Sequence, residues 1–116
     1  MEVDMRDVKL YFGPMSKNVV DSIISFVEKN NIRLGLIASR RQIDYNGGYV
    51  NNWTTRTFTQ YVRDRSKNIV ICRDHGGIGQ GTYYDDGVIS LLEDIKYMDI
   101  THIDPWKIYS RNFKKG

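Results

Sequence analysis

Cysteine is nearly missing: Cys72 is the only one in 116 residues, so no internal disulfide can form. A lone thiol in a strand-like run fits a reducing compartment, and a cytoplasmic location is expected. Long apolar runs are missing as well. No stretch reaches the ~18 uninterrupted apolar residues of a membrane-spanning helix, so no membrane partner is expected. Met1-Glu2-Val3-Asp4 has no basic segment ahead of an apolar one, and no signal peptide is expected. Charge of one sign is also scarce. Lys and Arg number 17 against 14 Asp and Glu, a net +3. Arg40-Arg41, Arg63/Arg65/Lys67 and Lys114-Lys115 lie apart and mixed with acids. That dispersal ranks a small basic nucleic-acid-binding module last among the readings. Histidine occurs only as His75 and His102, too few for a metal site made of imidazoles alone.

What is present is ordinary globular material, 41% apolar and 27% charged, in one domain over residues 1–116. Short apolar runs alternate with helical patterns. The runs are Val8–Phe12, Leu34–Ala38, the β-branched Asn68–Cys72, and Asp99–Ile103. Between the first two, Val20, Ile23, Ile24 and Val27 repeat at helical spacing, with Ser16 as the cap and Asn30-Asn31 as the stop. Thr54 or Thr55 caps a second helix carrying Phe58, Tyr61, Val62 and Arg65 on one side. Asp85 or Asp86 caps a third, with Val88, Leu91, Leu92 and Ile95 on its core face. The order β-α-β-α-β-α-β, with strands about 25–35 residues apart, predicts parallel β/α units. The expected fold is α/β, a (β/α)4 N-terminal half of a TIM-type barrel, because a full eight-unit barrel takes about 250 residues.

Parallel α/β folds bind ligands at the carboxyl ends of their strands. Here those ends are all polar or unusual: Gly13–Ser16, Ser39–Gln42, Arg73–Gly76 and His102–Pro105. Asp74-His75 carries the best chemistry, since a carboxylate moves protons and a neutral imidazole ligates a metal that polarises a carbonyl. On residue type alone, a turn-capping Asp beside a surface His is the blander alternative. His102 is either a further metal ligand or a hydrogen-bonded core residue. The loop Arg40–Tyr49 holds Arg40, Gln42, Gly47 and Gly48, groups suited to hydroxyls and phosphates, or it is an exposed loop with Asn-Gly turn chemistry. Gly76–Gly81, with Gly77 inside it, either offers backbone N–H groups to an anion or is a flexible turn; it lacks the spacing of the P-loop and of the dinucleotide fingerprint. Asp104-Pro105-Trp106-Lys107 puts a carboxylate, an aromatic wall and a cation near the mouth, or ends the strand with Trp106 on the core.

Three of these motifs carry a resemblance. Ala38-Ser39-Arg40-Arg41-Gln42 with Gly47-Gly48-Tyr49, then Asp74-His75-Gly76-Gly77, then His102-Ile103-Asp104 stand in order over about residues 34–107. Together they resemble the class II aldolase superfamily, nearest to the tagatose-bisphosphate aldolase non-catalytic subunit family. Ile37 and Arg73 depart from it, standing where an acidic and a small residue are usual. The resemblance implies Asp74 as the proton-moving catalytic residue, His75 as ligand of a divalent metal, zinc above others, and Asp104 near metal and substrate.

The functional expectation is an aldolase-like protein of carbohydrate metabolism, a metal-dependent carbon–carbon lyase or epimerase. It would act on a phosphorylated or polyhydroxy sugar that Arg40, Gln42, Gly47, Gly48, Arg73, Gly77, Asp104 and Lys107 bind. Activity is expected of a full-length barrel and not of this stretch alone. The alternative is a non-catalytic partner that stabilises a separate aldolase chain in a hetero- or homo-oligomer.

Overall fold

A computed structural model describes residues 8–101 of the chain. The elements run β1 Tyr11–Phe12, α1 Lys17–Asn30, β2 Leu34–Ser39, α2 Thr55–Arg65, β3 Ile69–Asp74 and α3 Val88–Tyr97. The strands form one parallel sheet in the order β1-β2-β3. Parallel pairing follows from the helices between them, which return the chain to the same starting edge. Of the expected fourth strand, the described residues hold one isolated bridge. Ile100 bridges Cys72 in parallel, with the Arg73 amide donating to the Ile100 carbonyl at 2.9 Å. His102, Ile103, Asp104 and Lys107 lie outside the described residues. No described helix is long and apolar enough to cross a membrane.

The first two helices form for the reasons their sequences suggest. Ser16 accepts the Val19 amide proton at 3.2 Å, which satisfies one of the free donors at the start of α1. Asn31 ends that helix in the left-handed region, with φ of 52°. Val20, Ile24 and Val27 are buried, and Ile23 packs at the edge of the same cluster. In α2, Thr54 and Thr57 cap one another: each backbone N–H donates to the other's hydroxyl, at 3.0 and 2.9 Å. Phe58 and Val62 are fully buried, whereas Arg65 lies over the Tyr61 ring at 3.5 Å. These side chains cover Leu34, Leu36 and Ala38 of β2 and Ile69 and Ile71 of β3. Side chains alternate across a strand, so these five share one face of the sheet. Arg73 belongs to that face too, while Ser39 and Asp74, partners in the register, belong to the other.

Two expectations need correction. β1 spans two residues instead of five, although the Gly35 amide still reaches the Leu10 carbonyl at 2.9 Å. Tyr11 and Phe12 are exposed, and such a short strand suits an edge. The larger correction concerns α3. Its expected core face is turned outward, with Val88, Leu92 and Ile95 at 52–63% exposure. The residues turned inward are Ser90 and Asp94. On that inner side the Arg73 guanidinium meets Asp94 at 2.8 Å, with both side chains essentially inaccessible. Asp85 and Asp86 do not act as the N-cap, a position taken by Gly87. Asp86 nevertheless accepts the Val88 amide at 3.0 Å.

Candidate functional site

The loop from Arg40 to Trp53 is longer than most β/α connections, and its own side chains hold it in place. Ile43, Val50 and Trp53 enter the hydrophobic core. Gly48 passes so close to the Gln42 carbonyl that a Cβ there would collide with it. The Gly48 amide donates to the Trp53 carbonyl at 3.1 Å and the Gly47 amide to the Asp44 carbonyl at 3.0 Å. Those amides are thus used within the loop, although both glycines line the cleft described below.

Arg40 sits under this loop, 1% exposed. A guanidinium has five N–H donors. The Arg40 Nε donates to Asp44 at 3.0 Å. One terminal nitrogen reaches the Gly77 carbonyl at 2.9 Å and Asp85 at 2.7 Å. The other reaches Asp85 at 2.7 Å and Asp44 at 2.9 Å. Burial alone would lower the guanidinium pKa, but the hydrogen bonds from Asp85 and Asp44 outweigh it and the pKa is raised. Arg40 thereby ties the loop after β2 to the loop after β3. Four of its five N–H donors are hydrogen-bonded inside the chain, in place of the substrate hydroxyl or phosphate expected from sequence. Gly77 serves the same tie through its carbonyl.

Arg73 repeats the pattern deeper in the protein. Nε and one terminal nitrogen grip Asp94 at 2.8 and 2.9 Å. The remaining donors reach the Ala38 and Ile43 carbonyls at 3.2 and 2.6 Å and the Thr55 hydroxyl at 3.4 Å. Its side chain is fully buried on the helix-covered face. Substrate orientation by Arg73 is corrected on the same ground.

The chemistry-bearing pair stands elsewhere at the same end of the sheet. Asp74 closes β3, and His75 takes φ of 49°, a left-handed conformation that costs a non-glycine residue about 1–2 kcal/mol. Their side chains are 46% and 67% exposed and approach to 3.5 Å. Gln42 lies across the neighbouring strand ends: its side-chain oxygen accepts the Ser39 amide at 2.9 Å, and its nitrogen lies 3.6 Å from the Met15 sulfur. Loops after β1 and β2 thus meet at Gln42, and Ser39 is the register partner of Asp74. No group of three His, Cys, Asp or Glu side chains converges among the described residues. Asp74 and His75 offer two donors, short of the three protein ligands usual for catalytic zinc, so the described residues alone do not fit that ion. Burial pushes the Cys72 thiol pKa up, with the Asp74 charge adding to it, which makes this sulfur a poor nucleophile.

Between the two tied loops lies a cleft of about 380 Å³. Tyr45 and Tyr49 line it from the loop after β2, and Tyr83 and Tyr84 from the loop after β3, with Asp44, Asp85 and Arg40 at its base. Asp44, Tyr45 and Tyr49 lie in the loop expected to suit hydroxyls and phosphates, whereas Tyr83, Tyr84 and Asp85 were not among the expected site residues. Tyr83-Tyr84 in a polar, glycine-rich stretch without apolar periodicity is the signal that points to them. Comparison with protein families, curated proteins and solved structures gives no match for this chain.

The tie responds to acid. Arg40 holds the Asp85 carboxyl below its ordinary value, against the opposing effect of burial. A carboxyl depressed in the folded state contributes stability above its unfolded pKa of roughly 3.9, and that contribution fades as pH falls through the lower, folded value. Asp85→Asn is therefore expected to flatten the loss of thermal stability below about pH 4. Lys17 depresses Asp21 in the same sense, so Asp21→Asn is the control for the exposed pair. An acid limb equally steep in Asp85→Asn and wild type would disprove the linkage.

Proposed function

We propose that this chain forms the substrate-handling end of a class II aldolase-like lyase or epimerase, built as the (β/α)4 half of a barrel. One observation carries the reading. Sequential parallel strands, extended by Ile100 beside β3, bring Gln42 and Asp74-His75 to the carboxyl end of one sheet. Consecutive strand order with a helix after each strand is compatible with the winding of a barrel half and supports the reading. Asp74 is the residue that takes a proton from carbon next to a sugar carbonyl and returns it. Half-exposure at a strand end leaves its carboxylate open to a bound substrate. Asp104 and Lys107 belong to the same proposal as substrate-binding residues. A divalent ion, zinc by the resemblance, would supply polarisation of that carbonyl, held by His75 and by ligands outside the described residues.

Solvent deuterium exchange into a ketose phosphate, followed by proton NMR with the full-length protein and added zinc, tests the reading. Asp74→Asn is expected to slow exchange by about 10²-fold or more, the usual contribution of a positioned acid/base group. Equal rates in the variant and wild type would remove Asp74 from the chemistry. A second reading, a non-catalytic subunit that stabilises a separate aldolase chain, draws on the exposed apolar row of α3. It predicts no exchange by this chain alone.

A further inference from the structure

The three most exposed large apolar or aromatic side chains among the described residues are Tyr49, Tyr83 and Tyr84, at 65%, 78% and 75%. All three line the same cleft. Core packing does not account for rings this exposed. Scattered apolar groups on a surface need no explanation, but a cluster around one concavity marks a binding site.

The base of the cleft narrows the ligand. Asp44 and Asp85 bring two carboxylates against the single Arg40 guanidinium, which leaves one negative charge in excess. No lysine and no second arginine lines the cleft among the described residues. Four Arg40 donors are hydrogen-bonded within the chain, and the nitrogen that carries the fifth lies 2.9 Å from Asp44. A phosphate would find repulsion here and no cationic donor. A carboxylate oxygen can accept two hydrogen bonds. Asp85 Oδ2 accepts one, from Arg40, and the Asp85 side chain is 30% exposed. Its spare lone pair suits a hydroxyl donor. Tyrosine adds an apolar ring face and a polar tip. Donor-seeking carboxylates below and amphipathic rings around match a ring that presents hydroxyls at its edge and C–H bonds on its face.

From this we infer that the cleft between the loops after β2 and β3 binds an uncharged, polyhydroxylated sugar ring, stacked on Tyr49 and Tyr83 with a hydroxyl donated to Asp85. The inference rests on the reading of this end of the sheet as a carbohydrate site and restricts its substrate class. A phosphate group, where a substrate carries one, lies outside this cleft.

Saturation-transfer NMR on the full-length protein tests it with D-glucose, D-mannose, D-galactose, D-glucose 6-phosphate and choline. At least one free hexose is expected to receive saturation through its ring C–H protons, and D-glucose 6-phosphate is expected to bind no better than D-glucose. Tyr49→Ala and Tyr83→Ala are each expected to weaken hexose binding by about tenfold, the scale of one aromatic stacking contact. Both side chains are exposed, so the variants keep the fold, which circular dichroism confirms independently. Tyr49→Trp retains a ring face and is expected to retain binding. Transfer to none of the hexoses, tighter binding of the phosphate or of choline, or hexose binding indifferent to both alanine variants would each overturn the inference. Those results leave the exchange experiment on Asp74 standing or falling on its own. Conversely, tyrosine-dependent hexose binding without exchange would sustain the sugar cleft and refute the lyase.

Discussion

Replacing Arg73 with alanine is expected to cost about 3–5 kcal/mol of stability, the penalty for removing one partner of a buried ion pair. Total stability of a domain this size is roughly 5–15 kcal/mol, so the variant sits near the edge of folding. The loss is large because of what remains. Asp94 would be left buried at 1% exposure without its ion-pair partner, with only a weak described contact from the Thr101 hydroxyl at 3.4 Å. The Ala38 and Ile43 carbonyls would lose donors as well. Since Arg73 bonds to β2, α2 and α3, the damage would spread through the fold. Urea denaturation followed by circular dichroism measures it. Arg73→Met combined with Asp94→Leu is expected to recover much of the loss, because a buried pair replaced by apolar groups of similar volume is often neutral. A single variant within 1 kcal/mol of wild type would show that something else orients α3.

Arg40→Ala is expected to be nearly as costly, about 3 kcal/mol, with its effect concentrated at the cleft. Removing the guanidinium leaves Asp44, 4% exposed, and Asp85, 30% exposed, on either side of a gap and repelling one another. Partial exposure of Asp85 lets water soften the penalty. The two loops then lose their only described side-chain ion-pair tie. Amide exchange reads this locally. Gly79 donates to the Asp85 carbonyl at 3.2 Å and Gly87 to its carboxylate at 3.0 Å. Both amides are expected to exchange faster in Arg40→Ala while the β2–β3 ladder stays protected. Arg40→Lys is not expected to rescue them, because one ammonium cannot supply five planar donors. Unchanged exchange at Gly79 and Gly87 would refute the tie.

β2, β3 and the first two helices were readable from sequence because period and caps agree. Ser16 and Thr54 stand where free amides need acceptors, and Val20, Ile24, Val27, Phe58 and Val62 repeat at helical spacing on faces that are buried. The third helix has an equally good apolar period, yet its burial is reversed. Its orientation depends on Asp94 meeting an arginine 21 residues earlier, a pairing that periodicity within α3 cannot express. The same blindness applies to the site. An arginine at a strand end reads as a ligand for anions, and Arg40 and Arg73 both look available on paper. Their availability depends on Asp44, four residues on in the same loop, and on Asp85 and Asp94, which the fold brings from other segments. Tyr83 and Tyr84 escaped for a related reason: they lie in a loop with no period, and only its meeting with the loop of Tyr45 and Tyr49 makes the four a group. Asp74-His75 was legible because strand-end position follows directly from the apolar run before it.

The reversed face of α3 also changes which substitutions this helix can absorb. In most amphipathic helices the apolar row is intolerant of change and the polar row is free to drift. Here the order is inverted. Glutamate or lysine at Val88, Leu92 or Ile95 would meet solvent and keep good helix propensity. At Ser90 or Asp94, by contrast, even a close relative in size must fit a closed space, and at Asp94 it must also meet Arg73. Selection for solubility and selection for fold would therefore act on opposite sides of one ten-residue helix.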